Sequence, residues 1–316
     1  MRILIVTPAP PRSRKGNRIT ALRWARLLRE LGHRVSLAES FADQRCELLI
    51  ALHAKKSAES IRAFRDSRPD APLIVALTGT DLYRDIKTSR AAQQSLALAD
   101  RLVLLQCAGV NSLPKHVRSK ARVIVQSATG LAKTPAPLRS VFEVAVIGHL
   151  RAVKDPFRTA KAARNLPESS RIRVVHIGAA LSSAMAERAS AEMQRNPRYQ
   201  WIGELSWPMT MRRLARARLL VLSSRLEGGA NVISEAVSVG TPIIASRVSG
   251  TIGLLGEDYP GYFDVGDTLS LRSLLSRAEE DSRFYGELQR CGRRLLPLVL
   301  PRRERSDWDR LVREFE

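Results

Sequence analysis

The sequence predicts an α/β protein of two doubly wound domains that meet at a cleft, and three features of its 316 residues carry that expectation. Short apolar runs alternate with amphipathic stretches, the pattern of a parallel sheet covered by helices on both faces. A Pro-rich break, Thr134-Pro135-Ala136-Pro137, interrupts the alternation, which then starts afresh. The hydrophobic content of 44% gives each half enough to bury its own core.

In the first half, strands are expected at Ile3–Thr7, Val35–Ala38, Leu48–Leu52, Leu73–Leu77, Leu102–Gln106 and Val123–Val125. A helix is expected over Thr20–Leu31, with Leu22, Ala25, Leu28 and Leu31 on one face. In the second half, strands are expected at Phe142–Ile147, Ile172–Ile177, Leu219–Leu222 and Pro242–Ala245. Helices there run roughly Ala184–Arg195, Met209–Ala217, Asn231–Val239 and Ser270–Glu280. The expected domains are 1–137 and 138–301, followed by an amphipathic helix at 302–316. Ligands of such sheets sit at the C-terminal ends of the strands, so the loops that follow strands hold the candidate site residues.

The net charge of +21 points to an anionic substrate, a membrane surface or nucleic acid. The basic residues are dispersed along most helices without an aromatic ladder, which argues against nucleic acid. No apolar run approaches 18 residues, and the opening run at Ile3–Val6 is too short for a signal peptide. A soluble, cytoplasmic protein is expected. Cys46, Cys107 and Cys291 show neither metal-binding nor redox spacing.

The most informative segment runs from Ser223 to Ala245. It follows a strand, passes Glu227-Gly228-Gly229-Ala230-Asn231-Val232, becomes a helix and ends at Gly240-Thr241-Pro242 before another strand. Glycines at a helix N-terminus let backbone N–H groups approach a diphosphate, and the helix dipole favours that anion. Glu235 is the only charged residue between Asn231 and Gly240. A lone carboxylate on an apolar helix is costly unless something bonds it, and ribose hydroxyls are suitable donors. Glu227 could accept bonds from sugar hydroxyls. The plainer reading is a solvated glutamate on an ordinary helix.

This segment resembles the Glu-x7-Glu signature of the GT-B glycosyltransferases with retaining members. The resemblance implies two Rossmann-like domains facing a cleft, a nucleotide-sugar donor held by the second domain, and a terminal helix that crosses back onto the first. The family's basic donor motif has a counterpart in Gly148-His149-Leu150-Arg151-Ala152-Val153-Lys154. Lys154 is retained, whereas His149 stands where arginine is usual, so Arg151 is a candidate for the missing cation. Lys154 and Arg151 would neutralise the leaving diphosphate with no metal and no other cofactor. Trp201-Ile202-Gly203-Glu204-Leu205 resembles the short strand beside the family's base pocket. The donor candidates are therefore Gly148, Gly203, Glu227, Gly228, Gly229, Ala230, Asn231, Val232 and Glu235. A metal-binding triplet of another transferase architecture has a lookalike in Asp307-Trp308-Asp309. Neighbours on a helix do not share a face, which makes the triplet chance.

On the acceptor side, the loop after the first strand carries Arg12, Arg14, Lys15 and Arg18 around Gly16 and Asn17. A second basic cluster, His53-Ala54-Lys55-Lys56, follows the third strand. Two cationic loops at one sheet edge suggest a small, strongly anionic acceptor, although each residue alone could be a solvated surface charge. A third loop contains Thr78-Gly79-Thr80-Asp81. Many family members have histidine where Thr78 stands, and a hydroxyl acceptor would profit from such a base. The acceptor candidates are Lys15, Gly16, Asn17, Arg18, His53, Lys55, Thr78 and Thr80.

The segments at 8–18, 76–85, 227–232 and 255–263 resemble the selenosugar synthases of selenoneine biosynthesis over nearly the full length. That resemblance implies a transferase joining selenophosphate to the sugar of a UDP-sugar, UDP-N-acetylglucosamine being the expected donor. A selenium nucleophile is already ionised and needs no base. The alternatives are a peripheral membrane GT-B enzyme with a hydroxyl or lipid acceptor, suggested by Arg23, Arg26 and Arg29 on the first helix, a UDP-sugar epimerase, and a non-catalytic UDP-sugar-binding regulator.

Overall fold

The computed structural model describes residues 1–13, 16–79 and 81–316. The chain divides into two compact units, one of Met1–Ser127 with Pro301–Glu316 and one of Ala128–Leu300. The change of unit falls upstream of the Pro-rich stretch, because the Ala128 N–H already donates to Val299 O at 3.0 Å inside the second unit.

The first unit holds six parallel strands: β1 (Arg2–Val6), β2 (Arg34–Ala38), β3 (Leu48–Leu52), β4 (Leu73–Leu77), β5 (Arg101–Leu104) and β6 (Ala121–Val123), in the order β2-β1-β3-β4-β5-β6. The last strand lies upstream of the expected 123–125. Successive side chains on a strand face opposite ways, and the two cores of this unit follow that rule. Ile3, Ile5, Leu48 and Ile50 enter one core with Trp24 and Trp308. Leu4, Val6, Leu49 and Ala51 enter the other with Phe41 and Phe64. Both faces are covered, which is why β3 and β4 are apolar throughout.

The first helix, Gly16–Glu30, buries Ala21, Trp24, Ala25 and Leu28. The expected face had included Leu22, which is 48% exposed. The i, i+3, i+4, i+7 stripe starts one residue earlier and is centred on the tryptophan. The C-terminal helix, Pro301–Val312, packs on this one, with Trp24 and Trp308 edge to face at 4.8 Å. Glu304 is fully buried between them. Its Oε1 accepts from the Trp24 indole at 2.8 Å, and its Oε2 accepts from the Ser127 N–H at 2.8 Å and the Ser127 hydroxyl at 2.5 Å. A buried carboxylate is tolerable only when bonded in this way. Trp24 is thus a core residue and offers nothing to a membrane surface. Asp307 pairs with Arg303 and Asp309 with Arg313, on either side of buried Trp308, so the Asp-Trp-Asp triplet forms no joint site.

The second unit repeats the plan with β7 (Phe142–Ile147), β8 (Ile172–Ile177), β9 (Tyr199–Trp201), β10 (Leu219–Leu222), β11 (Ile243–Ser246) and β12 (Tyr262–Phe263), ordered β12-β11-β10-β7-β8-β9 and parallel throughout. The strand expected over 201–205 is displaced to β9, and Gly203, at φ +74°, lies in the loop beyond it. Gly240 closes the Asn231–Val239 helix in the left-handed conformation that glycine adopts without a Cβ penalty. Among the described residues, no helix is long and apolar enough to cross a membrane.

Candidate active site

The donor candidates lie on loops leaving the C-terminal ends of β7, β9 and β10 and on the Asn231–Val239 helix that follows β10, next to the loop after β8. Gly148 and Gly178 both have φ +154°, and a Cβ on Gly178 would stand 2.1 Å from Gly148 O. Any side chain at Gly178 would force these loops apart. His149 ties them together, its Nδ1 accepting from the Ala179 N–H at 3.3 Å.

His176, on β8, supports Gly148 from the core. Its Nε2 lies 3.1 Å from Gly148 O and its Nδ1 3.0 Å from the Tyr199 hydroxyl. Burial pushes its pKa down to about 4. The ring is therefore neutral near pH 7. A carbonyl can only accept, so the single proton sits on Nε2 and Nδ1 accepts from Tyr199.

Lys154 ends a short turn at Ala152–Lys154 and forms a close ion pair with Glu227 Oε1. The Ser224 hydroxyl donates to the same oxygen at 2.6 Å. Glu227 is only 7% exposed, and this cation and hydroxyl offset the cost of removing its charge from water. Ser223 straps the two loops by donating to Asp155 O at 2.9 Å, and Arg225 N–H donates to Val153 O at 2.8 Å. Gly250 leaves room for the loop, since a Cβ there would lie 1.9 Å from Glu227 O. Gly148, Lys154, His176, Ser224, Glu227 and Val232 line one small cavity.

Gly228, Gly229 and Ala230 lead directly into the Asn231–Val239 helix, so its N-terminus closely follows Glu227 in the chain. Glu235 is half-buried on this helix and accepts from the Trp207 indole at 3.1 Å. Arg151 is exposed and begins the loop that carries Lys154. Gly203 accepts the Gly178 N–H at 2.8 Å, joining the β9 loop to the others.

The acceptor candidates behave differently. Lys15 and Thr80 lie outside the described residues, as does Arg14. Gly16 opens the first helix, followed by half-buried Asn17 and Arg18. The Nε of Arg18 and the hydroxyl of Thr7 at the end of β1 are buried with no hydrogen-bond partner among the described residues. His53 adopts φ +75° and is 4% exposed. Its ring faces two buried carboxylates, with Nδ1 3.9 Å from Asp81 and Nε2 3.9 Å from Asp85. Burial lowers its pKa against the opposing pull of Asp81. Lys55 stands 3.9 Å from Asp85 as well. Asp81 accepts the N–H groups of Ala54, Thr78 and Gly79 at 3.1, 3.4 and 2.8 Å, so one carboxylate pins the loops after β3 and β4. The cluster read as cationic is therefore largely balanced by acid.

Sequence reading passed over Ser223, Ser224, His176, Trp207 and Gly250. Ser223, His176, Trp207 and Gly250 each act on a segment distant in the chain, whereas Ser224 bonds Glu227 within its own loop.

The fold is that of the GT-B architecture, with two parallel six-stranded α/β sheets. Residues 139–293, all within the second unit, match the family described as Glycosyl transferases group 1. Over the whole chain the fold is similar to sucrose-phosphate synthase from Thermosynechococcus elongatus, with TM-score 0.80, 15% identity and coverage of 99% of this chain and 98% of the other. It is also similar to HepE from Anabaena in complex with UDP, with TM-score 0.77, 13% identity and 99% of both chains covered. The pneumococcal O-GlcNAc transferase GtfA, in complex with UDP and GlcNAc, aligns at TM-score 0.67 and 14% identity, over 84% of this chain and 56% of that one. At these identities the likeness establishes the fold.

Proposed function

We propose that this protein transfers the sugar of a UDP-sugar, UDP-N-acetylglucosamine, to selenophosphate. The bond from the anomeric carbon to the diphosphate oxygen breaks, a carbon–selenium bond forms, and UDP leaves. The observation that carries the donor half is the Lys154–Glu227–Ser224 arrangement at the strand ends, beside the Gly228–Asn231 helix start. Lys154, Arg151 and that helix N-terminus hold the leaving diphosphate, without a divalent metal. Glu227 receives sugar hydroxyls and Glu235 the ribose. Similar folds solved with UDP support uridine as the nucleoside. Selenophosphate rests on the motifs at 8–18 and 76–85 and on Thr78 in place of a base.

His53 favours a second reading. An imidazole set between two carboxylates is a proton-handling group, and a hydroxyl acceptor must lose a proton as it attacks. Mass spectrometry of products from UDP-N-acetylglucosamine, with selenophosphate or with hydroxyl acceptors, separates the two. A carbon–selenium adduct is the expected product. Its absence alongside ready glycosylation of an alcohol overturns the selenosugar reading and leaves the transferase. Turnover should also survive EDTA, and an absolute Mg²⁺ or Mn²⁺ requirement would refute the metal-free scheme.

A further inference from the structure

The chain has four tryptophans. Trp24 and Trp308 are fully buried, and Trp201 donates its indole N–H to Gly178 O at 2.8 Å. Trp207 differs from all three: it is 48% exposed, yet its one polar atom is aimed 3.1 Å from Glu235 Oε1 on another helix. It opens the Trp207–Arg216 helix, with Pro208 next to it, and the helix is anchored by its buried residues Met211, Leu214 and Ala215. The indole therefore projects from an anchored backbone rather than from a loose loop.

We propose that Trp207 is a positioning residue for the donor, its indole N–H holding the Glu235 carboxylate in the orientation that receives the ribose hydroxyls. This rests on the reading of Glu235 as the ribose anchor. A glutamate on a half-buried helix face samples several rotamers, and fixing one on binding costs side-chain entropy. An indole N–H can only donate, so it takes one lone pair of a group that must act as acceptor. A carboxylate has lone pairs for several donors, which lets ribose hydroxyls join without displacing the indole. Holding the acceptor in place before the ligand arrives is preorganisation, and its effect appears as affinity.

The test is calorimetric titration of the full chain with UDP and with 2′,3′-dideoxy-UDP, which keeps the base and diphosphate but lacks both hydroxyls. Wild type should prefer UDP by about tenfold. Trp207→Phe keeps a ring and removes the N–H. It should weaken UDP roughly fivefold, leave the dideoxy nucleotide within about twofold, and add nothing in a Glu235→Ala background, which removes the acceptor. Equal loss on both nucleotides would mean that the indole touches the base or the diphosphate, and would overturn the proposal. No loss on either would overturn it too. A wild-type protein that binds UDP without preferring it to the dideoxy compound removes Glu235 as ribose anchor, and this inference with it. Failure to bind UDP at all overturns the donor reading itself.

Discussion

The two units place acids at the same edge of the same kind of sheet, but balance them in opposite ways. In the second unit, Glu227 meets one flexible cation, Lys154, which is 24% exposed and can be shared with an arriving anion. In the first, Asp81 and Asp85 enclose an imidazole that burial keeps neutral, and Lys55 reaches only Asp85. On the proposed reading, an anion entering the second unit competes with Glu227 for Lys154 beside a helix N-terminus, whereas in the first unit Asp81 and Asp85 add negative charge beside the basic residues. Binding machinery in the two halves therefore cannot be inferred by counting basic residues: what matters is which acids those residues already face.

The largest expected effect lies on the donor side. Lys154→Ala removes the partner of a nearly buried carboxylate and, on the proposed reading, the countercharge for the diphosphate. Turnover should fall by on the order of 100-fold, while Lys154→Arg restores part of it. Steady-state UDP release measures this. Retention of wild-type rate in Lys154→Ala would remove the contrast between the halves.

Next comes stability of the first unit. Glu304→Gln keeps the shape but turns a three-bond acceptor into a group with its own donors facing the Trp24 and Ser127 donors. The loss should be about 3 kcal/mol, seen by denaturant unfolding through the fluorescence of Trp24 and Trp308. The ligands of the second unit should still bind under native conditions.

How far the sequence could be read follows the same division. The donor motif was legible because Glu227, its glycines, the helix and Glu235 are consecutive in the chain and share one local structure. The two sheets were legible because each strand is a compact apolar run. The packing around Glu227 was not, since Gly250 looks like any loop residue until the fold brings it against the Glu227 backbone. The charge balance of the acceptor loops was hidden for a related reason. His53-Ala54-Lys55-Lys56 reads as a basic cluster, but the acids that oppose it come from the turn Asp81–Asp85 after the next strand. Local spacing reports neighbours along the chain and says nothing of what the adjacent strand delivers.

A smaller effect concerns pH and the donor loop. His176 has a folded pKa of about 4, below the ordinary histidine value, because burial disfavours its charged form. The unfolded chain then binds the extra proton first as pH falls. Stability contributed by the neutral ring is complete above about pH 6.5 and is lost as pH drops toward 4, by at most about 3 kcal/mol. His176→Gln removes that titration. The stability difference between pH 7 and pH 4.5 should be smaller in the variant than in wild type, and equal slopes would show that His176 is not buried as a neutral ring.

The smallest effects are expected on the acceptor side, and there the sign matters more than the size. Lys55 is half-exposed and 3.9 Å from Asp85, so Lys55→Ala should raise the acceptor KM by only about threefold and leave the donor KM unchanged. Asp85→Asn gives the sharper test. It preserves shape, removes one of the two carboxylates at His53 and releases Lys55 from its counterion. If the acceptor is an anion such as selenophosphate, the freed cation should lower the acceptor KM by about threefold, with kcat little changed. If the acceptor is a hydroxyl that hands its proton to His53, loss of Asp85 lowers the imidazole's proton affinity further, because that carboxylate raises it in the wild type. The variant should then lose kcat and shift its pH–rate profile to lower pH. A lower acceptor KM at unchanged kcat supports the anion, and a lower kcat with a shifted pH profile supports the hydroxyl, so kinetics of Asp85→Asn across pH decide which chemistry the first unit serves.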